Sequence, residues 1–158
     1  DSCLVGSEMC IRDSNRSGSF VGSEFAYEDL GSQELEKYKD RKYLRKEACP
    51  NNNELECHVI SRVPTEKSSG YKYQVLWLDD TAAHKVWKID YFDRKGSHLK
   101  TLFFDDYKIY LDKHWRPSVY KMINHQTGKS TDLLVQNIRF KVGLSSRDFN
   151  SKSLSRAR

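Results

Sequence analysis

Hydrophobic and polar residues alternate along the second half of the chain in short segments that are separated by turn signals. Because successive side chains of a β-strand point to opposite faces of a sheet, this alternation predicts strands rather than helices. A turn over residues 93–96, which ends in Gly96, indicates a hairpin between two neighbouring strands. The pattern therefore predicts a mainly β protein with an antiparallel sheet, whose strands include residues 71–78, 85–92, 99–107, 115–122 and 131–142.

The same alternation predicts which side chains share a face of this sheet. Several strands carry apolar residues on both faces, which fits either a curved sheet around apolar filling or a sandwich. One broad aromatic and aliphatic surface is expected to contain Tyr71, Tyr73, Val75 and Trp77 of one strand, with Trp87, Ile89 and Tyr91 of the next. Such a surface forms an ordinary packed core or lines a pocket for acyl chains. For a pocket, the predicted lining residues are Tyr73, Val75, Trp77, Trp87, Ile89, Tyr91 and Phe104.

The composition is that of a folded chain. Its 158 residues suit one domain, and an aromatic content of 12% offsets a low hydrophobic content of 37%. The net charge is +5, but basic and acidic residues are interspersed, which is typical of a solvated surface rather than of a nucleic-acid-binding stripe. The densest basic stretch, residues 37–46, could face an acidic partner or a membrane surface. No apolar run approaches the ~20 residues of a membrane-spanning helix.

Cys49 and Cys57 stand at the two ends of the segment CPNNNELEC, whose residues 50–53 have the composition of a turn. The flanking segments 43–47 and 56–63 can pair as a hairpin. The spacing predicts a disulfide across this hairpin and hence an oxidising compartment. The alternative is a pair of reduced cysteines in a cytosolic protein. A zinc site would need more ligands close by, and only His58 is adjacent.

No motif of a known catalytic site occurs in the chain: there is no P-loop, no G-x-S-x-G and no H-E-x-x-H. Two carboxylate pairs, Asp79–Asp80 and Asp105–Asp106, flank strand ends, where solvated acids are common. We therefore predict a protein that is not an enzyme and has no metal or cofactor. The histidines are too dispersed along the chain to be expected to bind a metal ion together. They are His58, His84, His98, His114 and His125.

The start of the chain differs in character from the rest. Residues 3–14 read CLVGSEMCIRDS and resemble a translated sequencing-adaptor artefact. We therefore expect residues 1–14 to be a non-native leader and residues 15–158 to form the domain.

A short helix is expected over residues 23–30, with Ser23 as its N-terminal cap.

Residues 14–30, SNRSGSFVGSEFAYEDL, resemble the signature of the outer-membrane lipoprotein-sorting (LolA-like) family of Gram-negative bacteria. Looser matches follow in order at 71–79, 85–100, 115–117 and 127–131, and then at Phe149 and Leu154. The motif residues that carry the resemblance are Phe20, Gly22, Ser23, Phe25, Tyr27, Glu28, Asp29 and Leu30.

The resemblance implies an incomplete, curved antiparallel β-barrel of the LolA and LolB type, with short helices covering its open side. It implies an apolar cavity for lipid or lipoprotein acyl chains, a periplasmic location after removal of a signal peptide, and a transporter of the resistance-nodulation-division type as partner. It brings no catalytic residue and no cofactor. Family members carry further strands and a helix before this signature, so we expect a partial β-clasp domain. The alternative function is a sensor or adaptor module that binds a periplasmic domain of a transporter or signalling protein.

Overall fold

The computed structural model describes residues 2–3, 10–11, 23–30 and 34–135. Nearly all of the regular structure is extended, because the alternating segments pair with their sequence neighbours. Two short 3₁₀ helices, Tyr27–Leu30 and Leu35–Lys37, precede the long strands. The strands are β1 (Ser2–Cys3), β2 (Cys10–Ile11), β3 (Tyr38–Cys49), β4 (Asn52–Pro64), β5 (Tyr71–Asp79), β6 (Val86–Asp93), β7 (His98–Tyr110), β8 (His114–Asn124) and β9 (Ser130–Leu134).

Strands β3 to β9 form one seven-stranded sheet in which each strand is antiparallel to the next along the chain. Within residues 34–135 the sheet is curved and does not close, so β3 and β9 are the edges of its described part. Strands β1 and β2 pair with each other in a separate two-stranded sheet. The prediction of a mainly β protein with a curved antiparallel sheet is therefore confirmed.

Local turn chemistry explains where the strands end. The β6–β7 hairpin turns at Gly96, whose φ of +89° lies in a region that residues with a Cβ rarely adopt. In the same turn the Asp93 carboxylate accepts hydrogen bonds from the Lys95 and Ser97 amides. The β3–β4 hairpin turns at Asn51, with φ of +67°, and asparagine is one of the few residues that tolerate this conformation.

The sheet separates two hydrophobic cores. We call the first side the latched face, and its buried residues are Phe25, Leu30, Tyr71, Leu76, Ile89, Tyr91, Leu102, Met122, Leu133 and Val135. We call the opposite side the tryptophan face, and its buried residues are Cys49, Cys57, Val59, Val75, Trp77 and Trp87.

A segment from outside the sheet covers the latched face. Residues 23–30 lie across it and insert Phe25 and Leu30, which are 1% and 2% exposed, among the sheet side chains. The predicted helix over these residues is shorter than expected: only Tyr27–Leu30 is helical, and it is a 3₁₀ turn. The expected cap, Ser23, lies four residues before the helix begins, and its hydroxyl accepts a hydrogen bond from the Phe25 amide.

Parts of the sequence-based predictions lie outside the described residues. The last predicted strand, 131–142, appears as Ser130–Leu134, and residues 136–142 are not among those described. Phe149 and Leu154, which carry part of the family resemblance, also lie outside the described residues, as do the motif residues Phe20 and Gly22.

Candidate functional site

The structure divides the seven predicted lining residues between the two faces of the sheet. Four of them contribute to the tryptophan face and three to the latched face. The prediction that Trp87, Ile89 and Tyr91 share one surface is wrong, and so is the grouping of Tyr71 with Tyr73. The tryptophan-face group is Tyr73, Val75, Trp77 and Trp87, and the latched-face group is Ile89, Tyr91 and Phe104.

Two β-bulges account for this division, because each adds one residue to a strand and reverses the alternation beyond it. In β5 the extra residue is Lys72: Tyr71 pairs with Asp93, whereas Tyr73 pairs with Phe92. Tyr71 therefore joins the latched face, although simple alternation places it beside Tyr73.

The second bulge places Trp87 as the extra residue of β6. Leu78 pairs with Val86, whereas Trp77 pairs with Lys88. Trp87 and Lys88 consequently lie on the same side, and the Lys88 ammonium stands 4.2 Å from the centre of the Trp77 ring. Simple alternation along β6 would place Trp87 and Lys88 on opposite faces, and the bulge brings them to the same one.

On the tryptophan face, polar groups of the sheet itself hold both indoles. The Trp87 indole N–H donates to the buried Asp79 carboxylate over 3.0 Å, and the Trp77 indole N–H donates to Glu47 over 3.1 Å. Burial raises the pKa of Asp79, but hydrogen bonds from Thr81 and Trp87 outweigh this effect and leave the pKa lowered. The two indoles are thus fixed by partners that lie on the same sheet or in its turns.

Beside these indoles, Cys49 and Cys57 form the predicted disulfide, with their Cα atoms 4.9 Å apart. The bridge joins β3 to β4 next to their turn, and both cysteines are buried. It therefore fixes the edge strand β3 to the rest of the sheet beneath the tryptophan face.

A row of stacked rings crosses β5, β6 and β7 at the far end of the tryptophan face. Tyr73 stacks on Phe92 at 4.3 Å between centroids, Phe92 on His98 at 5.0 Å, and His98 contacts His125 at 4.4 Å. The Thr101 hydroxyl lies 2.7 Å from His125 Nε2 and donates to the Asp90 carboxylate over 2.6 Å. Burial, followed by the neighbouring His98, lowers the pKa of His125.

The latched face depends on two buried carboxylates of the covering segment. Asp29 forms an ion pair with Lys100 of β7, with 2.6 Å between carboxylate oxygen and ammonium nitrogen, and both side chains are almost completely buried. Asp29 also accepts hydrogen bonds from the Tyr71 hydroxyl and, over 2.6 Å, from the Ala26 amide. These contacts attach the covering segment to two strands of the sheet.

Glu28 attaches the same segment to the β4–β5 connection. Its carboxylate accepts a hydrogen bond from the Ser69 hydroxyl and another from the Gly70 amide, each over 2.7 Å. The Lys100 ammonium donates further to the Glu24 carbonyl over 3.1 Å. We call this set of contacts around Glu28, Asp29 and Lys100 the polar latch. Each of these three ionic side chains has at least two hydrogen-bond partners in it.

The latch gives a physical meaning to the family motif. Tyr27, Glu28, Asp29 and Leu30 occur together because two carboxylates anchor the turn and an adjacent leucine fills the sheet surface. Sequence analysis identified these residues but missed their partner Lys100. The signal was present, because Lys100 alternates with Leu102 and Phe104 and so lies at a core-facing position that normally excludes a charge.

The latch also affects two tyrosines beneath it. The Tyr71 and Tyr91 rings lie 4.6 Å apart, and the Lys100 ammonium is 5.2 Å and 5.5 Å from their centres. Burial, followed by the Asp29 charge, raises the pKa of both hydroxyls well above the usual value. Both rings therefore stay neutral and present apolar surface on this face.

Within the described residues, no three histidine, cysteine, aspartate or glutamate side chains are placed to hold a metal ion. In that same part of the chain, no helix has the length and apolar character needed to cross a membrane. Apolar and aromatic side chains form most of both faces. The buried carboxylates of Asp29 and Asp79 each accept several hydrogen bonds.

A family model described as "-like: Uncharacterized protein" matches residues 5–156. No curated protein sequence matches the chain significantly. Among solved structures, an outer membrane lipoprotein-sorting protein domain from Vibrio parahaemolyticus is 50% identical, with a TM-score of 0.75, and the match covers 89% of this chain. A DUF1329 family protein from Desulfovibrio piger is 25% identical over 91% of this chain, with a TM-score of 0.74.

A LolA superfamily protein from Nitrosomonas europaea is 18% identical over 86% of this chain, with a TM-score of 0.69, and it shows the shared fold. The chain spans 57%, 58% and 59% of the lengths of these three proteins. The sequence identity with the Vibrio domain and the match of the family model both extend over most of this chain, and the antiparallel sheet is the fold shared with the three solved structures. The chain belongs to the outer-membrane lipoprotein-sorting, LolA-like family.

Proposed function

We propose that this chain is part of a periplasmic carrier that holds lipid or lipoprotein acyl chains against the latched face and passes them toward the outer membrane. One observation carries the proposal. The apolar surface of that face is covered by a separate segment, residues 23–30, whose two apolar anchors are Phe25 and Leu30. A surface of this kind can exchange one apolar cover for another without breaking a strand of the sheet.

The energies of such an exchange are comparable. Opening the polar latch separates the buried pair of Asp29 and Lys100, and breaking a buried ion pair costs about 3–5 kcal/mol. Exposing the buried side chains of Phe25 and Leu30 adds about 3–6 kcal/mol. Burying an acyl chain contributes about 0.8 kcal/mol per methylene, so roughly ten methylenes offset the combined cost. Cargo of ordinary acyl length is therefore sufficient to compete with the covering segment.

The proposed activity is transfer without making or breaking bonds, so it needs no catalytic group or cofactor. The disulfide between Cys49 and Cys57 supports an oxidising compartment such as the periplasm. Membership of the lipoprotein-sorting family supports the class of cargo. A transporter of the resistance-nodulation-division type as the source or recipient of the cargo remains a prediction from the family resemblance.

The proposed lining comprises the latched-face members of the predicted set, Ile89, Tyr91 and Phe104. Phe104 contacts Tyr120 at 5.3 Å between ring centroids, and both rings are only partly buried against the core. They therefore offer surface that cargo can reach beside the covering segment. The other predicted lining residues belong to the opposite face and are proposed as a packed core.

A matched pair of substitutions tests the face that binds. Phe104→Ser removes a partly buried ring from the latched face, and Phe92→Ser removes one from the tryptophan face. With the full-length protein, uptake of a fluorescent fatty acid should fall severalfold in Phe104→Ser and stay near the wild-type level in Phe92→Ser. Circular dichroism of both variants establishes that they are folded.

Mass spectrometry of an organic extract of the purified full-length protein should reveal lipid. The absence of extractable lipid, combined with no uptake of the fluorescent fatty acid, contradicts the carrier function. Retention of a protein partner after complete delipidation would instead favour the sensor or adaptor function.

A further inference from the structure

The chain concentrates its excess positive charge in one stretch of ten residues. We call residues 37–46 the basic strip. It contains six basic residues and one acidic residue, so its excess of five positive charges equals the net charge of the entire chain, +5. All other charged residues of the chain balance one another. The basic members of the strip are Lys37, Lys39, Arg41, Lys42, Arg45 and Lys46.

The basic strip forms most of β3, which is an edge of the sheet. Every residue from Lys39 to Lys46 is exposed, whichever way its side chain points. Two of these exposed residues are apolar or aromatic: Tyr43 is 59% exposed and Leu44 is 45% exposed. The strip is therefore a ridge with cations on both sides and two large hydrophobic groups at its middle.

Protection of an edge strand explains part of this composition. Edge strands carry charges and bulges that discourage pairing with other chains, and β3 has register shifts between Lys39 and Lys42 and between Tyr43 and Arg45. That role favours lysine and accounts for the lysines of β3. It explains neither the concentration of the chain's whole net charge on this one stretch nor the exposed Leu44, so a second role is indicated.

Few of these cations are neutralised locally. Arg45 pairs with Glu47, and Lys46 pairs with Asp80 at 3.4 Å. Arg41 donates to the carbonyl oxygens of Leu35 and Tyr38, which leaves its charge uncompensated. Lys39 and Lys42 make no ion pair with any residue in the described part of the chain.

We propose that the basic strip docks the protein on a membrane surface that contains anionic phospholipids. The nine residues of the strip that lie in β3, 38–46, extend over roughly 30 Å, so its charges form a line that matches an extended planar surface rather than a single ligand. Cations interleaved with an aromatic and an aliphatic side chain are typical of segments that lie at the lipid interface. Docking of this kind does not depend on the proposed carrier function, because it requires no cargo.

Binding to vesicles tests the proposal in the absence of cargo. The full-length protein should cosediment with vesicles of phosphatidylglycerol and phosphatidylcholine and not with vesicles of phosphatidylcholine alone. Each basic residue near an anionic surface strengthens binding roughly fivefold, so the triple variant Lys39→Gln, Lys42→Gln, Lys46→Gln should bind on the order of a hundredfold more weakly. Added salt should weaken wild-type binding in the same direction.

The matched control removes the same charge from elsewhere on the surface. The triple variant Lys67→Gln, Lys95→Gln, Lys129→Gln changes three lysines that are also exposed and lie outside the strip. Its binding should fall several times less than that of the strip variant. Equal losses in the two variants would show that only net charge matters and would overturn the proposal.

A third variant, Leu44→Ser, tests the apolar part of the contact. It should weaken vesicle binding by a few fold and should do so even in high salt, where the electrostatic attraction is screened. Failure of the wild-type protein to bind anionic vesicles overturns the proposal. If it binds polyglutamate but not such vesicles, the strip faces an acidic protein instead.

Discussion

The two faces of the sheet each bury a carboxylate, yet they hold it in different ways. Asp79 on the tryptophan face takes its partners from within eight residues, namely Thr81, the Lys85 amide and Trp87. Asp29 on the latched face reaches partners that are 42 and 71 residues away, Tyr71 and Lys100. A local network stabilises a turn that forms with the sheet. A long-range network holds a segment that is not one of the seven strands of the sheet.

The proposed function rests on this difference between two surfaces of similar apolar character. The tryptophan face is closed by the sheet's own side chains and by the disulfide of β3 and β4. The latched face is closed by residues 23–30, which contribute one 3₁₀ turn and no strand of the seven-stranded sheet. In the proposed carrier, opening the latched face would therefore cost a small number of polar contacts and the burial of two apolar side chains.

The largest effect is expected when the polar latch loses its charge. Asp29→Ala leaves the Lys100 ammonium buried without its counter-ion, and removing one partner of a buried pair costs about 3–5 kcal/mol. We expect the free energy of unfolding in urea to fall by this amount. The double variant Asp29→Leu, Lys100→Met replaces both charges with apolar groups and should recover most of the loss. A double variant as unstable as Asp29→Ala would show that the ion pair is not the source of the effect.

The second largest effect is expected on the tryptophan face, when the disulfide is removed. Cys49 and Cys57 are separated by 8 residues, and closing a loop of this length stabilises a folded chain by about 2–3 kcal/mol. The variant with both cysteines changed to serine should lose that amount in chemical denaturation. Its affinity for a fluorescent fatty acid should be unchanged once the protein is folded, because the bridge lies on the face opposite the proposed site. A parallel loss of affinity would contradict the separation of the two faces.

A smaller effect is expected from single indole hydrogen bonds. Trp87→Phe keeps a ring in place but leaves the Asp79 carboxylate, which has a fully buried side chain, without one donor, at a cost of about 1–3 kcal/mol. Trp77→Phe is the matched control, because its acceptor Glu47 is half exposed and water can replace the indole. Thermal unfolding of the two variants should rank Trp87→Phe as the less stable. The reverse order would show that packing, not the hydrogen bond, dominates.

The sequence predicted this architecture better than it predicted the faces. Alternation and turn residues sufficed for the strands, the hairpins and the disulfide, because these depend on neighbours along the chain. The faces depend on the bulges at Lys72 and Trp87, which are set by pairing between strands and leave no clear mark in either segment. The partnership of Asp29 with Lys100 was equally inaccessible, because it joins residues 71 positions apart. The motif residues could be recognised, but their contacts could not.

The smallest effect concerns the ring row at the end of the tryptophan face. Partial burial and the neighbouring His98 lower the pKa of His125, so the unfolded chain binds a proton there more readily than the folded one. This contribution to stability is complete above the usual histidine pKa of about 6.5 and is lost as the pH falls through the lowered pKa of the folded protein. NMR titration should find the pKa of His125 below its usual value. The substitution His98→Gln should raise this pKa only in part, because burial is the larger cause. A return of the His125 pKa to the ordinary value in His98→Gln would show that charge repulsion between the rings, rather than burial, controls this site.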